Sequence, residues 1–315
     1  MKKIEVFLLM MAVLIVFIGC QKEDGVYNPK RKVVVEYKQM QCTSATYDSV
    51  QTRWIDNMPE TCGKYKSKEW IWKGNRLERI DFYYNGEYVD QKRMFRYDGK
   101  KLVSVVDMFC DESGNSIGYE DSLVFEYDDK KLSKAVYSVD GEERILLYYG
   151  HTGDKITRVD VAMVNVAVSG KNIVSGERSI LRMALPTGLV AHQLVADYES
   201  VMRAKSGAQM NFSMEFGWTG NNITRIITIF PGEESSREDI TYDKKRNPHY
   251  GCLGWFMEYG MMLSENNIVQ RGDGSRYFYQ YDNNDYPVSR TYVQGFESNT
   301  YRSETKTTEF YEYSK

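Results

Sequence analysis

The sequence predicts an all-β chain, an antiparallel up-and-down meander of hairpin repeats. It is expected to curl into a closed or nearly closed barrel, or otherwise into a strongly curved open sheet, with one short helix in a middle insert. Three observations carry this. A short unit recurs: an aromatic residue, a few turn-forming residues, then Leu or Ile. The residues flanking these units alternate apolar and polar with period two, as half-buried strands do. The composition, with 25 Tyr and only 6 Pro among 315 residues, favours strands over helices.

The unit reads Trp72-Lys-Gly-Asn-Arg-Leu77, Tyr97-Asp-Gly-Lys-Lys-Leu102, Tyr127-Asp-Asp-Lys-Lys-Leu132 and Trp218-Thr-Gly-Asn-Asn-Ile223. A version starting at Tyr149 and ending at Ile156 reads as two residues longer. A half copy follows Tyr242 and a degenerate one follows Tyr281. Copies recur about every 22–30 residues outside the middle insert, which marks one supersecondary unit used repeatedly. Asp-Gly, Gly-Asn and Asn-Asn tolerate the positive φ of tight hairpin turns, so the unit is a β-hairpin. Asn85-Gly86, Ser113-Gly114-Asn115 and Asp140-Gly141 supply turns at the opposite ends of the strands.

Met210, Phe212, Met214, Phe216 and Trp218 share one strand face, against Asn211, Ser213, Glu215 and Gly217. On the next strand Ile223, Arg225, Ile227 and Ile229 read as one side, against Thr224, Ile226, Thr228 and Phe230. Beyond Pro186, Thr187 can cap a helix with Val190, Leu194, Tyr198, Val201 and Met202 at helical spacing. A helix is therefore expected over residues 188–205 of an insert near 186–207. The first strand, beginning at Lys32, and the last, Glu309-Phe-Tyr-Glu-Tyr313, are natural partners, because a long meander must shield its edges.

The N-terminus gives an address. Lys2 and Lys3 precede an uncharged apolar run over residues 6–18, too short to span a bilayer comfortably and typical of a secretory signal. Phe17-Ile18-Gly19-Cys20 resembles the lipobox of bacterial lipoproteins, which implies cleavage after residue 19 and lipid on Cys20. Phe17 stands where that pattern prefers Leu. Several acyl chains on one N-terminus hold a protein stably at a membrane. Residues 20–31 then form a polar tether, and residues 32–315 the β-repeat domain. Lys22-Glu23-Asp24 resembles the acidic export signal of Bacteroidetes surface lipoproteins. Without Lys2, Lys3 and Glu5 the formal charge moves from −3 to about −4, a balance that argues against nucleic acid and shows no polybasic membrane patch.

The Tyr-Asp-x-x-x-Leu units resemble the YD-type β-repeats of bacterial surface proteins. Trp218–Ile223, Tyr242-Asp-Lys-Lys-Arg-Asn-Pro248, Leu263-Ser-Glu-Asn-Asn-Ile-Val269 and Tyr281-Asp-Asn-Asn-Asp-Tyr-Pro287 resemble Bacteroidetes lipoproteins of unknown function with a porin-like β fold. The resemblance implies an outer-membrane, lipid-anchored β protein, with the exterior face of that membrane as one of its two sides. It transfers no catalytic residue.

Other motifs have ordinary readings. Cys42 and Cys62 are close enough in sequence to pair in an oxidising compartment. Neither CxxC nor a His cluster accompanies them, so no zinc site and no cofactor is expected. Arg271-Gly-Asp-Gly274 contains an integrin-type tripeptide, yet Gly-Asp-Gly is turn chemistry. Asp282-Asn-Asn-Asp285 has calcium-type oxygens without the later Gly and Glu of an EF-hand. The nucleophile elbow, the His-Glu-x-x-His motif and the phosphate loop are all absent from the sequence. His151, His192 and His249 are isolated. The leading reading is a non-enzymatic binding or scaffolding lipoprotein, with a glycan or another outer-membrane protein as partner. The alternatives are a polysaccharide-binding or polysaccharide-degrading protein, resting on surface aromatics and unassigned carboxylates, and a carrier of a hydrophobic ligand inside the barrel.

The alternation predicts that residues 210–218 pair with 223–230 across a turn at 219–222, with Phe216 buried and Glu215 not. Phe216→Asp should then cost about 3–5 kcal/mol in urea denaturation, from a lost buried aromatic and an inserted charge. Glu215→Ser should cost little.

Overall fold

The computed structural model describes residues 31–48, 53–57, 60–163, 211–232, 234–252, 259–297 and 301–314. In order these form β1 (Val33–Asp48), β2 (Arg53–Asp56), β3 (Glu60–Lys73), β4 (Arg76–Tyr84), β5 (Tyr88–Asp98) and β6 (Lys101–Cys110). Then come β7 (Ser116–Asp128), β8 (Lys131–Val139), β9 (Glu142–Thr152), β10 (Lys155–Met163), β11 (Asn211–Thr219) and β12 (Asn222–Ile229). The rest are β13 (Ser236–Asp239), β14 (Thr241–Arg246), a helical turn α1 (Tyr259–Met262), β15 (Asn266–Gln270), β16 (Tyr277–Tyr281), β17 (Pro287–Glu297) and β18 (Tyr301–Tyr313). The expected helix over 188–205 lies outside the described residues, as do Met210, His192, Cys20, Lys22, Glu23 and Asp24.

All pairing is antiparallel. The main sheet runs β13-β12-β11-β10-β9-β8-β7-β6-β5-β4-β3-β1-β18-β17-β16, with β2 attached to β1. The first and last strands do pair, from Val33 opposite Tyr313 to Thr46 opposite Tyr301. This join does not close a barrel: it lies inside the sheet, and the free ends are β13 and β16. Of the two expected forms, the structure takes the open sheet rather than the closed barrel. The reason is local. Strand β13 has only four residues, and the chain then leaves the ladder for a separate pair, β14-β15, broken by register shifts. That pair spans the gap. Ile240 N–H donates to Thr224 O at 2.9 Å on one side, and Gln270 bridges Arg276 on the other.

The hairpin units form as the sequence predicts. Trp72 faces Leu77, Tyr97 faces Leu102, Tyr127 faces Leu132 and Trp218 faces Ile223, each across a tight turn. Gly74, Gly99, Asp129 and Gly220 take the positive φ those turns need. The unit ending at Ile156 is corrected. Register pairs Ile156 with His151, not with Tyr149, so His151 fills the aromatic slot of a unit of ordinary length.

One feature of the unit escapes a period-two reading. Directly after each Leu or Ile the register shifts by one residue. This β-bulge changes which parity faces inward. Leu77 and Ile80, Leu102 and Val105, Ile156 and Val159, and Ile223 and Ile226 are therefore all buried despite a spacing of three. Ile223 and Ile226 share the inner face, and Arg225 and Ile227 lie outside, contrary to simple alternation. Thr224 Oγ1 at the bulge donates to Gly217 O at 3.4 Å. Gly217 lets the strands approach closely there: a Cβ would stand 3.1 Å from Arg225 Cβ. On β11, Phe212, Met214 and Phe216 are buried as expected and Glu215 is half-exposed. Ser213 points away from them yet is buried too, a small side chain between Asp160 and Ile229.

Each aromatic also reaches sideways to the preceding unit. Tyr97 OH donates to Leu77 O at 3.0 Å, Tyr127 OH to Leu102 O at 2.8 Å, and Trp218 Nε1 to Ile156 O at 2.9 Å. His151 Nε2 does the same to Leu132 O at 2.7 Å. Trp72 Nε1 to Val33 O and Tyr313 OH to Pro287 O, both 2.8 Å, carry the belt over the terminal strands. Tyr242 OH to Ile223 O at 2.6 Å and Tyr279 OH to Ile268 O at 2.9 Å carry it over the gap where the ladder stops. The basic residue before the Leu returns the contact. Lys101 Nζ donates to Asp129 O at 2.7 Å and lies over the Tyr127 ring at 5.4 Å. Lys155 lies likewise over Trp218 at 5.1 Å.

The concave side holds one apolar core that draws on strands from β1 to β18 and on Ile240, Cys252, Leu263 and Ile268 from the gap segment. Tyr127→Phe keeps the ring and deletes only the belt bond, leaving Leu102 O without that donor. Thermal or urea unfolding should register a loss of about 1–2 kcal/mol, with the far-ultraviolet strand signal unchanged.

Candidate functional site

The best-defined polar site lies on the inner wall, where β3, β1, β18 and β17 meet the gap segment. Two ion pairs form across adjacent strands. Lys68 opposes Glu36 and bonds its Oε2 at 2.8 Å; Arg290 opposes Glu309 and bonds its Oε2 through Nε at 3.0 Å and Nη2 at 2.7 Å. Trp70 Nε1 donates to Glu36 Oε1 at 2.9 Å, and Tyr311 OH to Glu309 Oε2 at 3.0 Å. Glu36 is 1% exposed, and a buried carboxylate requires such partners.

The gap segment plugs this wall. Asn247 is the pivot: its Nδ2 donates to Met261 O at 2.5 Å and Ser264 O at 2.8 Å, and its Oδ1 accepts from His249 N–H at 2.9 Å. The His249 ring thereby sits 5.6 Å from Trp70 and 5.9 Å from Tyr311. A cavity of about 10 Å³ remains, bordered by Asn247, His249, Asn267, Tyr279, Arg290 and Tyr311. That is room for about one water.

Burial alone would raise the Glu309 carboxyl; the Arg290 and Lys68 charges, with hydrogen bonds from Arg290 and Tyr311, hold it below its ordinary range instead. Desolvation lowers His249; Glu36 counters this, while Lys68 and Arg290 reinforce it. Each carboxylate is matched to its own cation, and the imidazole stays neutral. The arrangement fastens the plug and can hold one water.

A second inward group lies nearer the opposite end of the strands. Arg93 holds Asp107 in a fork, Nε to Oδ1 and Nη2 to Oδ2 both at 2.8 Å. Asp107 directly opposes Asp121, which accepts from Tyr137 OH at 2.9 Å. Desolvation raises the Asp121 carboxyl, the Tyr137 bond lowers it in part, and nearby Asp107 and Asp140 raise it further. Among the described residues no group of three or more His, Cys, Asp or Glu is placed to hold a metal ion.

The motifs singled out from sequence fall as follows. Arg271 of the Arg-Gly-Asp-Gly turn is buried and paired with Glu238 at 3.2 Å, and a Cβ on Gly272 would stand 3.0 Å from Asp239 N. The turn is docked on β13. Asp282 spends Oδ1 on the N–H groups of Asn284 and Tyr286, at 2.9 and 3.0 Å, and pairs with Arg31; the loop is turn chemistry. The Cys42–Cys62 pairing is corrected, since both thiols are free. Register puts Glu60 opposite Cys42 and Met40 opposite Cys62, so the cysteines are diagonal neighbours, some 7–8 Å apart and beyond ordinary disulfide reach. Glu36, Lys68, Arg290 and Glu309 were not singled out. Arg93 and Asp107 had a readable signal, because they share the parity of buried Phe95 and Val105.

Compared with known proteins, the chain matches no family model and no curated protein. Among the solved structures it is similar to is a porin-like protein from Bacteroides uniformis, with 12% identity over 87% of this chain and 97% of that chain and a TM-score of 0.33.

The pH dependence of stability follows from His249. Its folded pKa lies below the unfolded value of 6.5, so the unfolded chain takes up the proton first and stability falls as pH drops below about 6.5. The slope from this group is at most about 1.4 kcal/mol per pH unit. His249→Gln should flatten it in urea titrations between pH 7 and 5. Glu309 acts lower: its contribution, present above 4.5, is lost as pH falls further.

Proposed function

We propose that this chain is a non-enzymatic binding or scaffolding module, held at the outer membrane by lipid on Cys20 without crossing the bilayer through its strands. The observation that carries this is the polarity of the sheet. Among the described residues the concave side holds the apolar core, and the convex side carries ion pairs. Arg158 bonds Asp160 and Glu215, both at 2.8 Å, and Arg225 bonds Asp239 at 3.1 Å. A channel-forming barrel has the reverse pattern, apolar outside and polar within, and charges on its lipid face are costly. A hydrophobic-ligand carrier would need an apolar cavity where these residues pack together. A glycosidase would need two carboxylates open to substrate, whereas Glu36, Glu309 and Asp107 are each bound to a cation and Asp121 accepts from buried Tyr137.

The lipid anchor is tested directly. Cys20→Ala should abolish palmitate labelling and release the protein from membranes; undiminished labelling overturns the reading. If Lys22-Glu23-Asp24 directs export, protease added to intact cells should digest the protein. Replacing the three with Ala should protect it.

A further inference from the structure

The meander gathers every repeat turn at one end of the sheet. The chain enters there: Lys32 Nζ donates to Gly74 O at 2.5 Å, and Ser314 N–H donates to Lys32 O at 2.8 Å. Arg31 and Lys32, where the described residues begin, therefore lie at the repeat-turn end.

Charge divides along the same axis. The repeat turns expose Lys73, Arg76, Lys100, Lys131 and Lys244. Several basic side chains here bond backbone carbonyls, as Lys101 does with Asp129 O and Lys131 with Gly153 O, and a carbonyl cancels no charge. Carboxylates at this end are partly consumed, Asp282 by Arg31 and Asp285 by Lys245. Asp98, Asp128, Asp129, Asp154 and Glu265 dilute the positive charge without reversing it. The opposite rim carries Glu87, Asp90, Asp111, Glu112, Asp140 and Glu142, against Lys92 at Gly114 O and Arg144 on Glu142. A net charge of −3 conceals this separation.

We propose that the basic repeat-turn end docks on the anionic headgroups of the membrane, so that the molecule stands on end with its acidic rim facing away. The tether argument rests on the lipid-anchor reading. Twelve residues from Cys20 to Arg31 span at most about 40 Å, which keeps this end near the bilayer at high effective concentration. Basic residues close to an anionic surface are attracted within a Debye length. Repulsion of the acidic rim disfavours the inverted pose.

The test places the mature protein on phosphatidylcholine vesicles, with and without phosphatidylglycerol. A fluorophore sits at Asn284 in a repeat turn or at Ser113 on the far rim, with an energy acceptor in the headgroups. In anionic vesicles, transfer from Asn284 should exceed transfer from Ser113 by about twofold or more, and about 0.5 M salt should narrow the difference. The combined variant Lys73→Glu, Lys100→Glu, Lys131→Glu and Lys244→Glu should abolish it; the salt arm stands if that variant does not fold. Equal transfer from both ends overturns the docking, as does a difference that ignores salt. Inhibition by inorganic phosphate beyond that of chloride at equal ionic strength also overturns it, in favour of a discrete phosphate site. Retention on neutral vesicles reports the anchor alone. Loss of that retention, with the end difference intact on anionic vesicles, would overturn the anchor and leave the docking standing.

Discussion

The fold depends on a belt of hydrogen bonds from one unit's aromatic to the backbone carbonyl of its neighbour. The β-bulge after each Leu or Ile disturbs the ladder beside that carbonyl, and a carbonyl buried without a donor is costly. The aromatic supplies the donor and covers the bulge with its ring. Burial pushes the phenols of Tyr127, Tyr242 and Tyr279 up to about 12, so they remain protonated donors at any physiological pH. His151 shows which property the slot selects: it is not a phenol or an indole, yet it presents an N–H to the same carbonyl position.

The belt also explains how an open sheet retains one core. Backbone pairing ends at β13 and at β16, but Tyr242 and Tyr279 tie the intervening pair of strands to both sides. The Asn222–Asn266 contact at 3.0 Å and the Ile223 N–H to Ser264 Oγ bond at 3.0 Å reinforce one side. Side chains thus do what a continuous ladder does in a closed barrel. The gap segment gains room to fold inward and cover Glu36, Lys68, Arg290 and Glu309.

Those inward charges have a simple logic. An ionised side chain can remain under a plug only if its partner is held opposite it, and both pairs use direct cross-strand neighbours, where strand geometry does the positioning. The same geometry on the convex face gives exposed pairs worth little individually. Inside, the pairs set how the plug sits; outside, they keep the surface wetted.

The sequence by itself determined the strand class, the hairpin unit, its turns and the pairing of the first strand with the last. All of these are local or follow from a repeated pattern, and glycine, Asp and Asn at positive φ leave a plain mark. The proposed lipid address at Cys20 likewise rests on a motif of a few consecutive residues. Only the tertiary structure decided the inward parity after each bulge, because a one-residue shift reverses faces without changing composition. It alone decided that the sheet stays open, since closure turns on where β13 stops and on how Tyr242 and Tyr279 tie β14 and β15 across the gap. The same holds for the pairing of Glu36 with Lys68 and of Arg290 with Glu309, and for the gathering of scattered lysines at one end. These are relations between residues far apart in the chain, and a reading of neighbours along a strand contains no term for them.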